Sequence, residues 1–312
     1  MKKVLVVCGP TATGKTFLAL KLAKKFNGEL ISADSRQIYR GLDIGTGKDL
    51  CKIPKWATIW GYDLVGPKEE FSVSKYIAFA NKAIEDIWSR DKLPILVGGT
   101  GLYIKGVIDG IPTVDVPRNK KLRERLSEKT SEDLYEMLSQ IDAIRAGSLN
   151  SSDKRNPRRL IRAVEVATWM IDNSKKLPKG NESHRNRSVL FIGLYAEKEK
   201  LFDRIEKRVD KRIAAGLEDE IKSLLSSGIT WKMQSMSSLG YRQWKEFFEK
   251  TKTKEAVIND WKKEEKRYAR RQITWFKKDR RLHWFDTTEK KLIKNVEILV
   301  KKWYKEGNGK EN

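Results

Sequence analysis

The sequence predicts an α/β protein: a P-loop parallel sheet core covered by helices, with an inserted all-helical domain. Three observations carry this. Apolar runs of strand length recur at KVLVV (3–7), ELISAD (29–34), LPILVGG (93–99) and SVLFIGLYA (188–196), as expected for strands buried on both faces. Helically patterned segments alternate with the first three, which is the signature of βαβ units. Between about residue 113 and residue 187 strand-like runs vanish, and charged helical segments replace them.

In order along the chain, KVLVV leads into the glycine-rich stretch GPTATGKT (9–16) and then into the helical FLALKLAKKF. ELISAD is the second strand and ends on Asp34. SVSKYIAFANKAIEDIWSRDK (72–92) has the spacing of an amphipathic helix and feeds the strand LPILVGG. The insertion contributes KLRERLSEK, SEDLYEMLSQ and NPRRLIRAVEVATWM as successive helices. Long helices are expected over 198–227 and about 254–279, then a short strand LHWFD (282–286), a terminal helix and a frayed tail GNGKEN. Residues 1–112 and 188–312 are thus expected to form a catalytic core, and 113–187 a helical insertion domain. At 312 residues the chain is long enough for about two domains.

Charge narrows the function. The chain carries 65 basic and 42 acidic residues, a net +23, and the excess is clustered rather than scattered. DKRNPRRLIR (153–162) sets Arg155 against Arg159 and Arg158 against Arg162 at helical spacing. From Lys245 to Arg281 there are 14 basic and 7 acidic residues, interleaved with Trp261, Tyr268, Trp275 and Phe276. Basic groups grip phosphates and aromatics stack unpaired bases, so a nucleic-acid partner is expected, although Trp275 and Phe276 read first as core. Only two cysteines occur, Cys8 and Cys51, without metal-binding spacing, which suits a reducing compartment. The apolar start is too short for a signal peptide and no segment is long enough to span a bilayer, so a cytoplasmic protein is expected.

GPTATGKT fits G-x-x-x-x-G-K-[ST] at Gly9, Gly14, Lys15 and Thr16, between a strand and a helix as the motif requires. Loop amides and the helix N-terminus attract an anion, Lys15 adds a point charge, and Thr16 can ligate Mg²⁺. An NTPase also needs an acid at a core strand end. LPILV ends instead in Gly98-Gly99-Thr100-Gly101, leaving Asp34 as the one carboxylate well placed near the loop. A phosphate cradle with a single carboxylate fits a reaction whose leaving group is diphosphate. Lys15, the loop and Mg²⁺ would neutralise it, and Asp34 would take a proton from the nucleophile.

The motifs GPTATGKT, ISADSRQIYRGLDIGTGK, LVGGTGLYIKGVIDG, NPRRLIRAVEV, LGYRQ and YARRQITWFKKDRRLHWFD occur in that order between residues 3 and 286. Together they resemble the bacterial tRNA dimethylallyltransferase (tRNA isopentenyltransferase) family. The resemblance implies transfer of a dimethylallyl group from dimethylallyl diphosphate to the exocyclic amine of the adenosine 3′ to the anticodon, with Mg²⁺ as cofactor. It also implies that Asp34 is the general base. The loop residues Gly9, Pro10, Thr11, Ala12, Thr13, Gly14, Lys15 and Thr16, with Thr100 and Arg208, would hold diphosphate and metal. Implied tRNA contacts are Asp34, Ser35, Arg36 and Gln37, Thr100, and in the insertion Arg123 and Arg158, Arg159, Leu160, Ile161 and Arg162. Further along they are Gly240, Tyr241 and Arg242, then Arg270, Arg271, Gln272, Ile273, Thr274, Trp275, Phe276 and Lys277. GTGKDL (45–50) departs from the family's more usual GTAKP, and 54–72 lacks its histidine and Asp-Pro turn, which puts local loop shape in question. A P-loop small-molecule or nucleotide kinase, a prenyltransferase of free adenine nucleotides and a nonenzymatic RNA binder are the alternatives. A monomer is expected, since the protein must wrap a tRNA arm.

Overall fold

In the computed structural model, residues 2–48, 50–173 and 187–306 are described. The expectations for 174–186 and for the tail GNGKEN fall outside these residues. The chain divides into two compact units, Met1–Asp109 with His184–Asn312, and Gly110–Ser183.

The first unit is built on a six-stranded parallel sheet. Strand β1 (Lys2–Cys8) leads into helix α1 (Lys15–Lys25), and β2 (Gly28–Ser32) follows. A two-residue edge strand, β3 (Ile59–Trp60), lies within the segment whose sequence gave no clear element. Helix α2 (Val73–Ser89) starts where the Ser72 hydroxyl accepts from the Lys75 amide, and leads to β4 (Leu93–Gly98) and α3 (Gly101–Ile108).

The second unit holds α4 (Lys120–Ser127), α5 (Ser131–Ile141), α6 (Ala143–Ser148), α7 (Ser151–Lys154) and α8 (Pro157–Asp172). Thr130 and Asp133 close a capping box on α5, and α8 begins with an Asn156 cap and proline in its first turn. Leu126, Leu134, Leu138, Leu160 and Val164 form its separate core.

Back in the first unit come β5 (Arg187–Tyr195), α9 (Lys198–Ala214), α10 (Leu217–Ser226), the short α11 (Lys245–Phe248), α12 (Lys254–Phe276), β6 (Leu282–Asp286) and α13 (Leu292–Lys305). The single helix expected over 198–227 is corrected to two. Gly216 sits between α9 and α10 at φ +94°, in the left-handed region that breaks a helix.

Strand order is β3-β2-β4-β1-β5-β6. Central β1 is buried throughout except at Lys2, which explains its unbroken apolar spelling. Leu5 and Val7 pack with Leu18 and Leu22 of α1 and with Val296 and Val300 of α13, so these two helices cover one face. The other face carries α2, whose Tyr76 hydroxyl donates to the Ser32 carbonyl at 2.8 Å. Buried Lys3 donates to the carbonyls of Trp303, Tyr304 and Glu306 at the end of α13. From β1 the chain moves to β2 and β3 on one side and back to β4, and later crosses β1 to place β5 and β6 on the other side. In such sheets the crevice beyond the strands' C-terminal ends is where ligands bind.

Candidate active site

The turns leaving β1, β2 and β4 meet at that crevice. Residues 9–14 form the loop between β1 and α1, and Gly14 caps α1 in the left-handed conformation. The Thr13 hydroxyl and the Lys15 ammonium both donate to the Pro10 carbonyl, at 2.8 and 2.7 Å. Burial, and then the charge of Arg208, lower the Lys15 pKa to about 8. Arg208 of α9 donates from Nη1 to the Thr11 hydroxyl at 2.8 Å. The loop is thus ringed by cationic groups that use only neutral acceptors.

Asp34 lies two residues beyond the end of β2, where one carboxylate oxygen accepts from the Arg36 amide at 2.9 Å. The Ser35 amide donates to the Thr100 hydroxyl at 3.1 Å, and the Thr100 amide to the Ala33 carbonyl at 3.1 Å. The turns after β2 and β4 are thereby laced together. Arg36 reaches the Gln234 carbonyl and the Ser237 hydroxyl, while Gln37 bonds Ser32 and the Gly47 carbonyl.

A cavity of about 580 Å³ joins these parts. Thr11, Lys15, Thr16, Asp34, Arg36, Gln37, Gly99, Arg208, Arg242, Arg271 and Gln272 all line it, drawing together residues from five separate motifs. Asp34 is not its only carboxylate, since Glu265 of α12 also lines it, beside Arg212 and Tyr268. Burial and the Asp34 charge raise the Tyr268 phenol well above its usual range, which keeps it neutral. Glu265 and Arg212 escaped notice in the sequence. The available signal was an acid on the buried stripe Trp261, Glu265, Ala269, Gln272, Phe276 of α12.

Several expected contact residues are engaged by internal partners. Gln272 is buried and uses both ends of its amide internally, accepting from the Thr11 amide at 2.8 Å and donating to the Gly99 carbonyl at 3.0 Å. A Cβ on Gly99 would lie 2.1 Å from Gln272 Nε2, so only glycine permits that approach. Tyr241 is fully buried and donates to Glu220 at 2.6 Å, and Gly240 is buried against Trp261. The same Glu220 carboxylate accepts from the amides of Asp43, Ile44 and Gly45, so Tyr241 braces the 43–48 turn. Exposed Trp275 and buried Phe276 line a second cavity of about 450 Å³ with Cys8, whose thiol burial pushes up to about 12. The core expectation therefore holds for Phe276 and fails for Trp275. Arg270, Arg271, Thr274 and Lys277 are exposed along α12, with Ile273 packed toward α9.

In the helical unit, Leu160 is a fully buried core residue, and the partly buried Ile161 packs against that core. Arg123 and Arg162 are half-buried rather than fully exposed, with 29% and 30% of their side chains accessible. Both bind the buried Glu165 carboxylate, and Arg162 also donates to the carbonyls of Thr113 and Val116. Burial works to raise the Glu165 pKa, but the two arginines and the Asn119 amide hold it below the usual carboxylate range. Exposed Arg159 pairs with Asp153, and Arg158 is exposed on the first turn of α8.

A phosphate loop at the C-terminal edge of a parallel sheet, faced by a carboxylate and walled by arginines, defines a group-transfer enzyme of the P-loop α/β class. Known proteins make the class specific. The sequence matches the IPP transferase family over residues 37–279 and the isopentenyl transferase family over residues 2–53. It is 39% identical to the tRNA dimethylallyltransferase of Anoxybacillus flavithermus, covering 92% of this chain and 91% of that one. It is also 39% identical to that of Halothermothrix orenii, covering 95% and 92%. The crystal structure of the Bacillus halodurans tRNA isopentenylpyrophosphate transferase matches with a TM-score of 0.72 at 33% identity over 99% of each chain. A eukaryotic dimethylallyltransferase acting on tRNA matches at 0.77 with 25% identity, covering 98% of this chain and 80% of that one. The chain belongs to the IPP transferase family. It is a transferase, and the kinase alternative falls. Among the described residues no helix is long and apolar enough to cross a membrane.

Proposed function

We propose that this enzyme transfers the dimethylallyl group of dimethylallyl diphosphate to the N6 amine of the adenosine 3′ to a tRNA anticodon, in the cytoplasm and as a monomer. The observation that carries this is the single cavity shared by the phosphate loop, Arg208 and Asp34. Diphosphate fits the loop end, where Lys15, Arg208 and the amides leading into α1 offset its charge. The adenine enters beside Asp34. An exocyclic amine is a poor nucleophile because its lone pair is delocalised into the ring. The Asp34 carboxylate accepts the amine proton as nitrogen bonds to the allylic carbon, and the carbon–oxygen bond to diphosphate breaks. The target base must leave its stack to reach this site, which an unpaired loop permits at low cost.

Among the described residues no cluster of three or more Asp, Glu, His or Cys side chains offers a ready metal cage. Magnesium suits such a site, because it keeps several waters and shares substrate phosphates with few protein ligands. The Thr16 hydroxyl, which lines the cavity, would hold Mg²⁺, and the ion would add positive charge beside the leaving group. The exposed arginines of α12, with Arg158 of the helical unit, supply the basic groups for the tRNA backbone.

The test is incubation with unmodified tRNA, Mg²⁺ and dimethylallyl diphosphate, followed by mass spectrometry of RNA digests. One C5 group on the adenosine 3′ to the anticodon is expected. Active, folded protein that leaves a cognate tRNA unmodified would overturn the proposal.

A further inference from the structure

Two guanidinium groups, one carboxylate and one glycine meet at the arginine wall of the larger cavity. Arg208 and Arg212 stand one turn apart on α9, and both line the cavity. A Cβ on Gly47 would lie 2.4 Å from Arg208 Nη2 and 2.3 Å from Arg212 Nη2, so both groups converge on the Cα of Gly47. Gly47 adopts φ +67°, where any side chain would also be strained. Arg208 spends its donors on the Thr11 hydroxyl and, at 3.4 Å, on the Gly47 carbonyl. Arg212 is buried and pairs with the equally buried Glu265 at 3.2 Å. Glu265 also accepts from Trp261 Nε1 at 3.2 Å, and the Arg212 guanidinium lies 5.8 Å from the Trp261 ring centre.

Two guanidinium groups brought to one point repel each other, and Lys15 in the same cavity adds a third positive charge. Glu265 pairs with Arg212 and the Asp34 charge acts on Lys15, while Arg208 bonds only the neutral Thr11 hydroxyl and Gly47 carbonyl. The wall therefore keeps a positive surplus that a bound anion would offset. Stability alone is a poor reason for the pair, because buried ion pairs are often no better than apolar side chains of like volume. A pair that opens onto the cavity beside a second guanidinium suits anion recognition, where the arginine fork binds phosphate oxygens in two places.

We propose that Arg212 is a second guanidinium of the diphosphate subsite and that Glu265 is the positioning residue that aims it. This rests on reading the cavity as a diphosphate cradle. The ligand class is a diphosphate ester before transfer and inorganic diphosphate after it. Gly47 is the residue that lets both guanidinium groups reach one ligand.

The test measures inorganic diphosphate binding by calorimetry on the full chain, in parallel with KM for the prenyl diphosphate and for tRNA. The double variant R212M/E265M replaces the buried pair by apolar side chains of similar length. It is expected to melt near the wild type while binding inorganic diphosphate about tenfold more weakly. KM for the prenyl diphosphate should rise in step and KM for tRNA should not. A folded double variant with wild-type diphosphate affinity would overturn the proposal. Should the double variant not fold, R212K decides. Keeping the charge but losing the fork should still weaken diphosphate binding, and unchanged affinity overturns the assignment. A wild-type enzyme that transfers normally while the variants bind diphosphate normally refutes Arg212 alone. Wild-type protein that binds no diphosphate refutes the cradle as well.

Discussion

Gln272, on the last long helix of the sheet unit, accepts a hydrogen bond from the backbone amide of Thr11 at 2.8 Å. The other end of its side chain holds the Gly99 carbonyl at 3.0 Å, so one amide fixes the spacing between the phosphate loop and the turn after β4. Gln272→Ala leaves a buried N–H and C=O without partners. It should lower the unfolding free energy by about 1–3 kcal/mol, read by urea titration, and weaken inorganic diphosphate binding, read by calorimetry. Gly99→Ala should do the same by pushing the amide away, because its Cβ would sit 2.1 Å from Gln272 Nε2.

On the proposed mechanism, Asp34→Asn keeps the shape of the turn and removes the base. Transfer should fall by at least about 100-fold in single-turnover assays, while tRNA affinity stays within a few-fold of wild type. Undiminished turnover would remove Asp34 from the chemistry.

On the proposed reading, Lys15 should couple diphosphate binding to pH. Its folded pKa of about 8 lies below the ordinary lysine value of 10.5, so the empty folded protein releases this proton before the unfolded chain does. Between those values the unfolded chain holds more protons, and stability should rise with pH across that window. Bound diphosphate favours the ammonium form. Its affinity should therefore fall as pH climbs through about 8, with proton uptake visible as a buffer-dependent calorimetric enthalpy.

Glu165 organises the helical unit through Arg123 and Arg162. Removing its charge leaves two arginines without their shared carboxylate. Glu165→Gln should destabilise this unit by about 3 kcal/mol at neutral pH, measured by urea unfolding. Because the folded pKa is held below the usual range, this contribution is complete above the unfolded value. It is lost as pH falls through the folded one, so wild type and variant should converge in acid.

The net charge of +23 makes tRNA affinity steeply dependent on salt. Arg158→Ala should weaken tRNA binding similarly for cognate and non-cognate sequences and reduce the slope of log affinity against log salt by about one.

The sheet and its phosphate loop were legible because their patterns are local. A buried parallel strand spells an unbroken apolar run, and GPTATGKT needs no distant partner to be recognised. Asp34 was legible for the same reason, standing just past a strand end near the loop. The misreadings concern side chains whose meaning depends on residues far along the chain. Arg162 looks like a free surface group at helical spacing, yet Glu165 one turn on and the carbonyls of Thr113 and Val116 tie it down. Gln272 looks like a polar residue on a basic helix, and its partners lie at positions 11 and 99. Glu265 and Arg212 each read as ordinary helix charges until α9 and α12 are packed together. Gly216 was overlooked because the apolar period continues across it while the backbone does not.

The stitch through Gln272 also bears on how the protein is made. The amide that braces Thr11 lies 261 residues further along the chain, so the phosphate loop leaves a ribosome well before its brace does. The Lys3 ammonium likewise waits for carbonyls some 300 residues downstream. At roughly 5–20 residues per second of synthesis, the nascent chain spends many seconds with β1 and its loop emerged and these two fastenings absent. The tie between the phosphate loop and the turn after β4 can therefore form only after Gln272 has been made.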